Sequence, residues 1–158
     1  MLACSHCNSN CKRSQFPFHA RRPALIDPTA DDPARHLVFL PSTGEFRALG
    51  PKGTASIAVF GLNDAAPPRK LPEARKSTFI KLLLLLREYD RLVTSGDAAG
   101  AAFVRRTVLD EPFSAVLDWL FVIAASPAAG TVLGSSVPAI VKRHGVASWV
   151  LMPAGGRP

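Results

Sequence analysis

The sequence predicts an α+β protein in which a small head with short strands precedes a mainly helical C-terminal region. Three observations support this fold class. All three cysteines lie in the first eleven residues, more than half of the prolines lie in residues 21–72, and a helical pattern begins at Glu73. Pro-rich stretches with short apolar runs favour strands and turns, whereas long periodic segments favour helices. We therefore divide the chain into residues 1–72 and 73–158.

The size and composition are those of a globular protein. A chain of 158 residues can bury a core, and 47% apolar with 20% charged residues does not indicate disorder. The N-terminus shows no secretory signal. The apolar run Phe113–Ala125 is short for a membrane span and contains Asp118, so it predicts a buried helix. We expect a cytoplasmic protein with no membrane partner.

The positive charge is concentrated in the first half of the chain. The formal net charge is +7, and Met1–Lys76 holds eleven Lys and Arg against six Asp and Glu. The remaining residues hold eight against six. A basic excess of this kind fits a polyanionic partner such as nucleic acid.

Short apolar runs between turn residues predict strands in the first region. The segments "HLVFLP" and "ASIAVFGL" have strand composition, and Gly, Pro and Ser separate them. The segment "STGEFRAL" begins a further strand, which would form a small hairpin.

Helical spacing predicts the elements of the second region. The first helix covers Glu73–Val93, and Asp97 caps the next one, "DAAGAAFVRRTVL". A third helix, "EPFSAVLDWLFVIAA", ends before Pro127. A short last helix covers Ser136–Arg143, with Gly145 as its stop.

The pair Cys4-x-x-Cys7 allows several interpretations. Its spacing suits two thiolate ligands of a tetrahedral zinc ion, but the chain offers few further ligands to complete a site. A redox pair requires a β-α-β context that is not visible here. Two ordinary reduced cysteines, or half of a zinc site, are two further possibilities.

The head and three later segments resemble one protein family. "CSHCNSNCKRSQFPF" resembles the second half of an HNH endonuclease motif, in which a Cys-x-x-Cys pair precedes Asn or His. "LIDPTADDPARHLVF", "GLNDAAPPRKLPEARKSTF" and, more loosely, "EPFSAVLDWLF" are similar to segments of bacterial HNH endonucleases found beside ATPases in anti-phage systems (Septu-like and retron-associated effectors). The segments occur in the same order as in those proteins.

The resemblance implies a partial ββα-metal head that acts on DNA, with an ATPase as a possible partner protein. Cys4 and Cys7 would supply two of four structural zinc ligands. Asn8 would be the catalytic residue, with its amide oxygen on Mg²⁺ or another divalent cation. Lys12, one helical turn after Asn8, and Arg13 would contact the DNA backbone.

The sequence departs from the family pattern at its start. The first Cys-x-x-Cys, the general-base histidine and the middle asparagine of the motif would precede Met1. We therefore expect a chain that cleaves DNA poorly alone. An upstream start, a degraded gene, or a short subunit that acts with a partner would each explain this. The alternative function is a non-enzymatic module that binds nucleic acid or protein.

Further polar residues have structural and functional interpretations. His19 is predicted to be a surface or packing residue, and His36 to form structural hydrogen bonds rather than catalyse. Asp27, Asp31 and Asp32 lie in "DPTADDP", which favours Asx turns and a helix cap over a metal site.

The remaining basic and leucine-rich stretches favour structural roles. A run of basic residues near the first helix predicts a solvated helix start, with a phosphate-binding patch as the alternative: Arg69, Lys70, Arg75 and Lys76. Arg105 and Arg106 are predicted to be solvated or salt-bridged. The "LLLLL" stretch and the Trp119–Phe121 pair are expected to form core or a partner interface.

Overall fold

A computed structural model describes residues 12, 14–27, 29–111 and 114–151. This part of the chain contains two antiparallel two-stranded sheets and seven α-helices, which confirms the α+β class. The chain divides into two compact units, Met1–Lys76 and Ser77–Pro158. The predicted ββα-metal head depends on residues 1–11, which lie outside the described residues.

The first unit is built from short elements. In chain order they are β1 (Phe18–His19), β2 (Arg22–Pro23), a 3₁₀ helix (Pro33–Arg35), β3 (Leu37–Leu40), β4 (Glu45–Ala48), α1 (Pro51–Phe60) and the beginning of α2 (Leu71–Thr94).

The β3–β4 hairpin confirms the strands predicted for "HLVFLP" and "STGEFRAL". Its register pairs Leu37 with Ala48 and Leu40 with Glu45. Alternate residues of β3, Leu37 and Phe39, are buried, as expected for a strand with one face on a core. Gly44, at the end of the turn, has a φ of +77°, and a Cβ there would collide with the carbonyl of Pro72. Glycine is therefore required at this position.

The strand predicted for "ASIAVFGL" is wrong, because this segment belongs to helix α1. Pro51 occupies the first turn of the helix, and Gly61 ends it in the left-handed conformation. These are the residues that favour a helix start and a helix stop. An apolar run of this length is compatible with either structure, and the flanking proline and glycine determine the outcome.

The second unit is helical. Its elements are the rest of α2, α3 (Ala98–Leu109), α4 (Ser114–Ala124), α5 (Ala129–Leu133), α6 (Ser136–Arg143) and α7 (Ser148–Leu151). The predicted helices are confirmed, and Asp97 caps α3 by accepting a hydrogen bond from Gly100 N at 2.9 Å. α5 and α7 were not predicted, since four or five residues are too few to show a period.

Apolar side chains from several helices form the core of the second unit. Its most deeply buried side chains are Leu82, Leu86, Val108, Val116, Leu120, Leu133, Val137 and Val146. The "LLLLL" stretch contributes to this core through Leu82 and Leu86, whereas Leu84 is 58% exposed. Among the described helices, none combines the length and apolar character needed to cross a lipid bilayer.

Candidate nucleic-acid interface

Most of the head residues that are predicted to bind metal or contact DNA lie outside the described residues. These are Cys4, Cys7, Asn8 and Arg13, so the zinc and magnesium sites stay predictions. In residues 12, 14–27, 29–111 and 114–151, no group of three or more His, Cys, Asp or Glu side chains is arranged to hold a metal ion.

Lys12 is the predicted DNA-contacting residue that the structure describes. Its Nζ lies 3.9 Å from the centroid of the Phe16 ring, and its carbonyl accepts a hydrogen bond from Gln15 N. A cation–π contact holds the ammonium without a carboxylate partner. The positive charge of Lys12 therefore stays uncompensated in this contact.

The β1–β2 hairpin places further basic residues close to Lys12 in sequence. His19 pairs with Arg22, and the two-residue turn between them consists of Ala20 and Arg21. Both turn residues have positive φ values, 48° and 63°. Residues other than glycine adopt this conformation at a cost of about 1 kcal/mol or more each, and such strain is concentrated at functional sites. The turn projects Arg21 at the tip of the hairpin.

A cavity of about 500 Å³ lies between this hairpin and the start of α1. We call it the basic cleft. Its polar lining consists of His19, Arg22, His36 and Lys52, and small or apolar residues complete the wall. Gly50 and Pro51, at the start of α1, also line the cleft, so the positive end of the helix dipole lies there. The two side chains with a full charge that line the cleft, Arg22 and Lys52, are both basic.

Asp31 sets the charge balance beside the basic cleft. Its carboxylate accepts two hydrogen bonds from Lys52 Nζ, at 2.6 and 2.9 Å, and its Oδ1 lies 3.7 Å from His36 Nε2. The hydrogen bond from Lys52, followed by one from the backbone N–H of Asp27, holds the pKa of Asp31 below its usual value. Lys52 is thus already paired. In the part of the chain that the structure describes, Arg21 and Arg22 form no ion pair.

The aspartates of "DPTADDP" have the structural roles that their sequence predicts. Asp27 Oδ1 accepts hydrogen bonds from the backbone and hydroxyl of Thr29, at 2.9 and 2.6 Å. Asp32 caps the 3₁₀ helix by accepting from Ala34 N at 3.0 Å. These contacts shape the loop that carries Asp31, and the predicted Asx turns and helix cap are confirmed.

The two predicted histidines lie where their sequence context suggests. His19 is exposed, as expected, and it lines the basic cleft. The backbone carbonyl of His36 accepts from Leu49 N at 2.9 Å and extends the β3–β4 ladder, while its ring faces Asp31.

Arg75 contradicts both interpretations of the basic run before and within α2, because it is neither solvated nor available to phosphate. It is 4% exposed, and it donates hydrogen bonds to the carbonyls of Gly44, at 2.7 Å, and Leu62. Its guanidinium lies 4.6 Å from the ring centroid of Phe46. Burial, together with the nearby charge of Arg69, lowers the pKa of Arg75 to about 10. Arg75 therefore holds two loops of the first unit together.

The other residues of this run differ in exposure. Arg69 donates to the carbonyls of Phe60 and Gly61 and pairs with Asp64 at 3.5 Å, so it is also a structural residue. Lys70 and Lys76 are exposed, as predicted.

The "GLN" segment also has a structural explanation. Asn63 accepts a hydrogen bond from Phe46 N and donates one to Phe46 O, both at 2.8 Å. These two hydrogen bonds satisfy the backbone N–H and carbonyl of Phe46 at the edge of β4, as a neighbouring strand would. Residues that support the family resemblance, including Asn63 and Arg75, thus stabilise the fold and identify no catalytic site.

Arg105 differs from the solvated or salt-bridged residue that its sequence predicts. It is half-buried, its guanidinium lies 5.2 Å from the Trp149 ring centroid, and its Nε finds no hydrogen-bond partner within the described ranges. A cavity of about 540 Å³ in the second unit is lined by Arg105, Arg106 and mainly apolar residues. Arg106 is exposed, as predicted.

The basic cleft was not predicted from sequence, although one signal was present. The stretch "FPFHARR" places two aromatic residues directly before three basic ones, a composition typical of nucleic-acid contacts. Comparisons of this chain with protein-family models, curated proteins and solved structures found no match.

Proposed function

We propose that the first unit binds nucleic acid, with the phosphate backbone on the β1–β2 hairpin and the basic cleft. The observation that carries this proposal is the gathering of His19, Arg22, His36 and Lys52 around one cavity, with Arg21 at the adjoining turn. Phosphate contacts from Lys and Arg dominate the affinity of proteins for nucleic acids.

The charge distribution supports the same proposal. Asp31 beside the cleft is already compensated by Lys52, so it leaves Arg21 and Arg22 to attract phosphates. Lys52 then acts as a scaffold that fixes the Asp31 loop against α1. The net charge of +5 on Met1–Lys76 would steer a polyanion towards this unit at low ionic strength.

A quantitative binding assay with a matched charge control tests this function. Fluorescence anisotropy would follow a labelled 20-base-pair duplex and a 20-nucleotide single strand over a range of salt concentrations. We expect Arg22→Gln to weaken binding several-fold and to reduce the slope of log K against log salt by about 1. Lys70→Gln removes the same charge from an exposed position of the first unit outside the cleft, and should have a smaller effect.

The proposal fails if neither nucleic acid binds in a salt-dependent manner. If Arg22→Gln and Lys70→Gln have equal effects, the binding site is not at the basic cleft, because binding would then reflect net charge alone.

A second candidate function is phosphodiester hydrolysis of the HNH type. The observation that favours it is the order Cys4-x-x-Cys7-Asn8, with Lys12 and Arg13 following. In this proposal Cys4 and Cys7 hold zinc, Asn8 holds the divalent cation, and an ATPase partner protein accompanies the complex. When bound, the divalent cation would supply electrostatic stabilisation at the scissile phosphate.

Cleavage and metal content distinguish the two functions. If the nuclease proposal is right, Asn8→Ala abolishes any Mg²⁺-dependent DNA cleavage, whereas Arg22→Gln only weakens DNA binding. We expect weak cleavage by the 158-residue chain alone. The zinc content of the wild type and of Cys7→Ser tests zinc binding by the Cys4-x-x-Cys7 pair independently of activity. Robust cleavage that survives Asn8→Ala would contradict the assigned role.

A further inference from the structure

Two phenylalanines of the first unit are exposed among its basic residues. Phe16 is 58% exposed and Phe18 is 67% exposed, and they lie within "KRSQFPFHARR". A phenylalanine side chain normally contributes a large buried area to a core. Two largely exposed rings two residues apart, with basic residues before and after the pair in sequence, are a feature that packing within the described residues does not explain.

The geometry of β1 separates the aromatic and the basic groups. His19 and Arg22 are cross-strand partners, and both line the basic cleft. Phe18 is the neighbour of His19 on the same strand, so its side chain points to the opposite face of the hairpin. A strand of nucleic acid that crosses this hairpin would therefore meet the basic residues His19 and Arg22 on one side and an exposed ring on the other.

The two rings are not equivalent. Lys12 Nζ covers one face of Phe16 at 3.9 Å from the ring centroid, which leaves the other face accessible. Among the described residues, no ring or cation is stacked on Phe18. Phe18 is thus the better stacking surface, and Phe16 is the second.

An exposed ring can stack only on a base whose face is accessible. In a duplex, neighbouring base pairs cover those faces, whereas unpaired bases offer them to aromatic side chains. We propose that the β1–β2 hairpin binds single-stranded nucleic acid, with unpaired bases stacked on Phe18 and Phe16 and phosphates on Arg21, Arg22 and His19. This inference rests on the proposed nucleic-acid binding and specifies its ligand.

The test compares single strands with a duplex for variants of Phe18. The probes are fluorescein-labelled 20-nucleotide oligo-dT, oligo-U of the same length and a 20-base-pair duplex. Phe18→Leu should weaken binding of at least one single strand about tenfold, within the roughly 5- to 150-fold range that corresponds to loss of one base–aromatic stack. Duplex affinity should stay unchanged, and Phe18→Trp should retain single-strand affinity.

Phe103→Leu is the matched control, because Phe103 is a 66% exposed phenylalanine of the second unit. It should bind all probes like the wild type. Circular dichroism and thermal melting of Phe18→Leu should match the wild type, since the ring is mostly exposed.

Each contrary outcome identifies what fails. If Phe18→Leu leaves single-strand binding unchanged, or weakens single strand and duplex equally, the stacking inference is wrong while nucleic-acid binding stands. If the wild type binds none of the three probes, the proposed function itself is wrong. If Phe103→Leu has the same effect as Phe18→Leu, the site is misplaced.

Discussion

In the first unit, buried and half-buried polar side chains hold the loop backbone, whereas in the second unit apolar side chains from several helices fill a core. Arg75 and Asn63 together satisfy backbone groups of Gly44, Leu62 and Phe46. In the second unit, Leu86 is fully buried among other apolar residues. Short strands leave many backbone groups without ladder partners, and buried groups of this kind must be satisfied by side chains.

The comparison indicates that substitutions destabilise the two units in different ways. A distributed apolar core loses stability in proportion to the volume that is removed. The first unit adds directional hydrogen bonds to its smaller set of buried apolar side chains, and the loss of one such donor leaves buried carbonyls unsatisfied. The candidate nucleic-acid interface lies in the second kind of structure.

Leu86→Ala should have the largest effect on stability. The side chain of Leu86 has no exposed surface, and truncation of such a leucine costs about 2–5 kcal/mol, because a cavity remains. Urea denaturation followed by tryptophan fluorescence measures this, since Trp119 and Trp149 both belong to the second unit. Leu84→Ala removes the same atoms from a 58% exposed position and should cost much less. Equal losses for both variants would contradict a core defined by burial.

Arg75→Met should destabilise the first unit by a somewhat smaller amount. Methionine fills much of the space but leaves the carbonyls of Gly44 and Leu62 without a donor. An unsatisfied buried polar group costs about 1–3 kcal/mol, so we expect a loss of about 2–4 kcal/mol. Amide hydrogen exchange of residues 37–48, analysed by mass spectrometry, measures the loss in the hairpin that Arg75 supports.

The control for Arg75 is Lys76→Met, which changes an exposed basic residue at the next position of α2. This control separates the loss of buried hydrogen bonds from the loss of a positive charge. If both variants exchange at the same rate in residues 37–48, the hairpin does not depend on Arg75.

Local patterns predicted much of the fold, but contacts between distant residues were not predictable. Asp97 was identifiable as a helix cap because the hydrogen bond it accepts comes from Gly100, three residues away. Arg75 has the same helical context as the exposed Lys76, and its acceptors lie 31 and 13 residues away in sequence. A local sequence pattern contains no information about contacts between residues so far apart, so the burial of Arg75 could not be inferred.

The candidate site was predictable to a smaller extent. The phosphate contact expected of Lys12 from its position in the head stays a prediction, and the structure places its ammonium on the Phe16 ring. The basic cleft brings His19 and Arg22 together with Lys52, some thirty residues later in the chain. Its formation depends on the strained turn at Ala20 and Arg21, which lacks the glycine or asparagine that usually indicates such a turn.

Asp90→Asn should have the smallest effect, and its dependence on pH is the informative measurement. Asp90 Oδ1 accepts hydrogen bonds from His144 Nε2 at 2.7 Å and from Arg143 Nη1 at 2.8 Å, which connect α2 to the end of α6. An ionised carboxylate only accepts, so Nε2 carries the proton. The hydrogen bond from His144, with the charge of Arg143, holds the pKa of Asp90 below its usual value of 3.8.

A folded-state pKa below the unfolded value means that ionised Asp90 stabilises the fold. This stabilisation is complete well above pH 3.8 and disappears as the pH falls through the lower pKa of the folded state. The melting temperature of the wild type should therefore exceed that of Asp90→Asn by a constant amount between about pH 5 and 7. The difference should shrink below about pH 4. Asp110→Asn serves as the control, since the Asp110 side chain makes no ion pair in the described residues. A difference between wild type and Asp90→Asn that stays constant down to pH 3 would show that the carboxylate charge does not stabilise this contact.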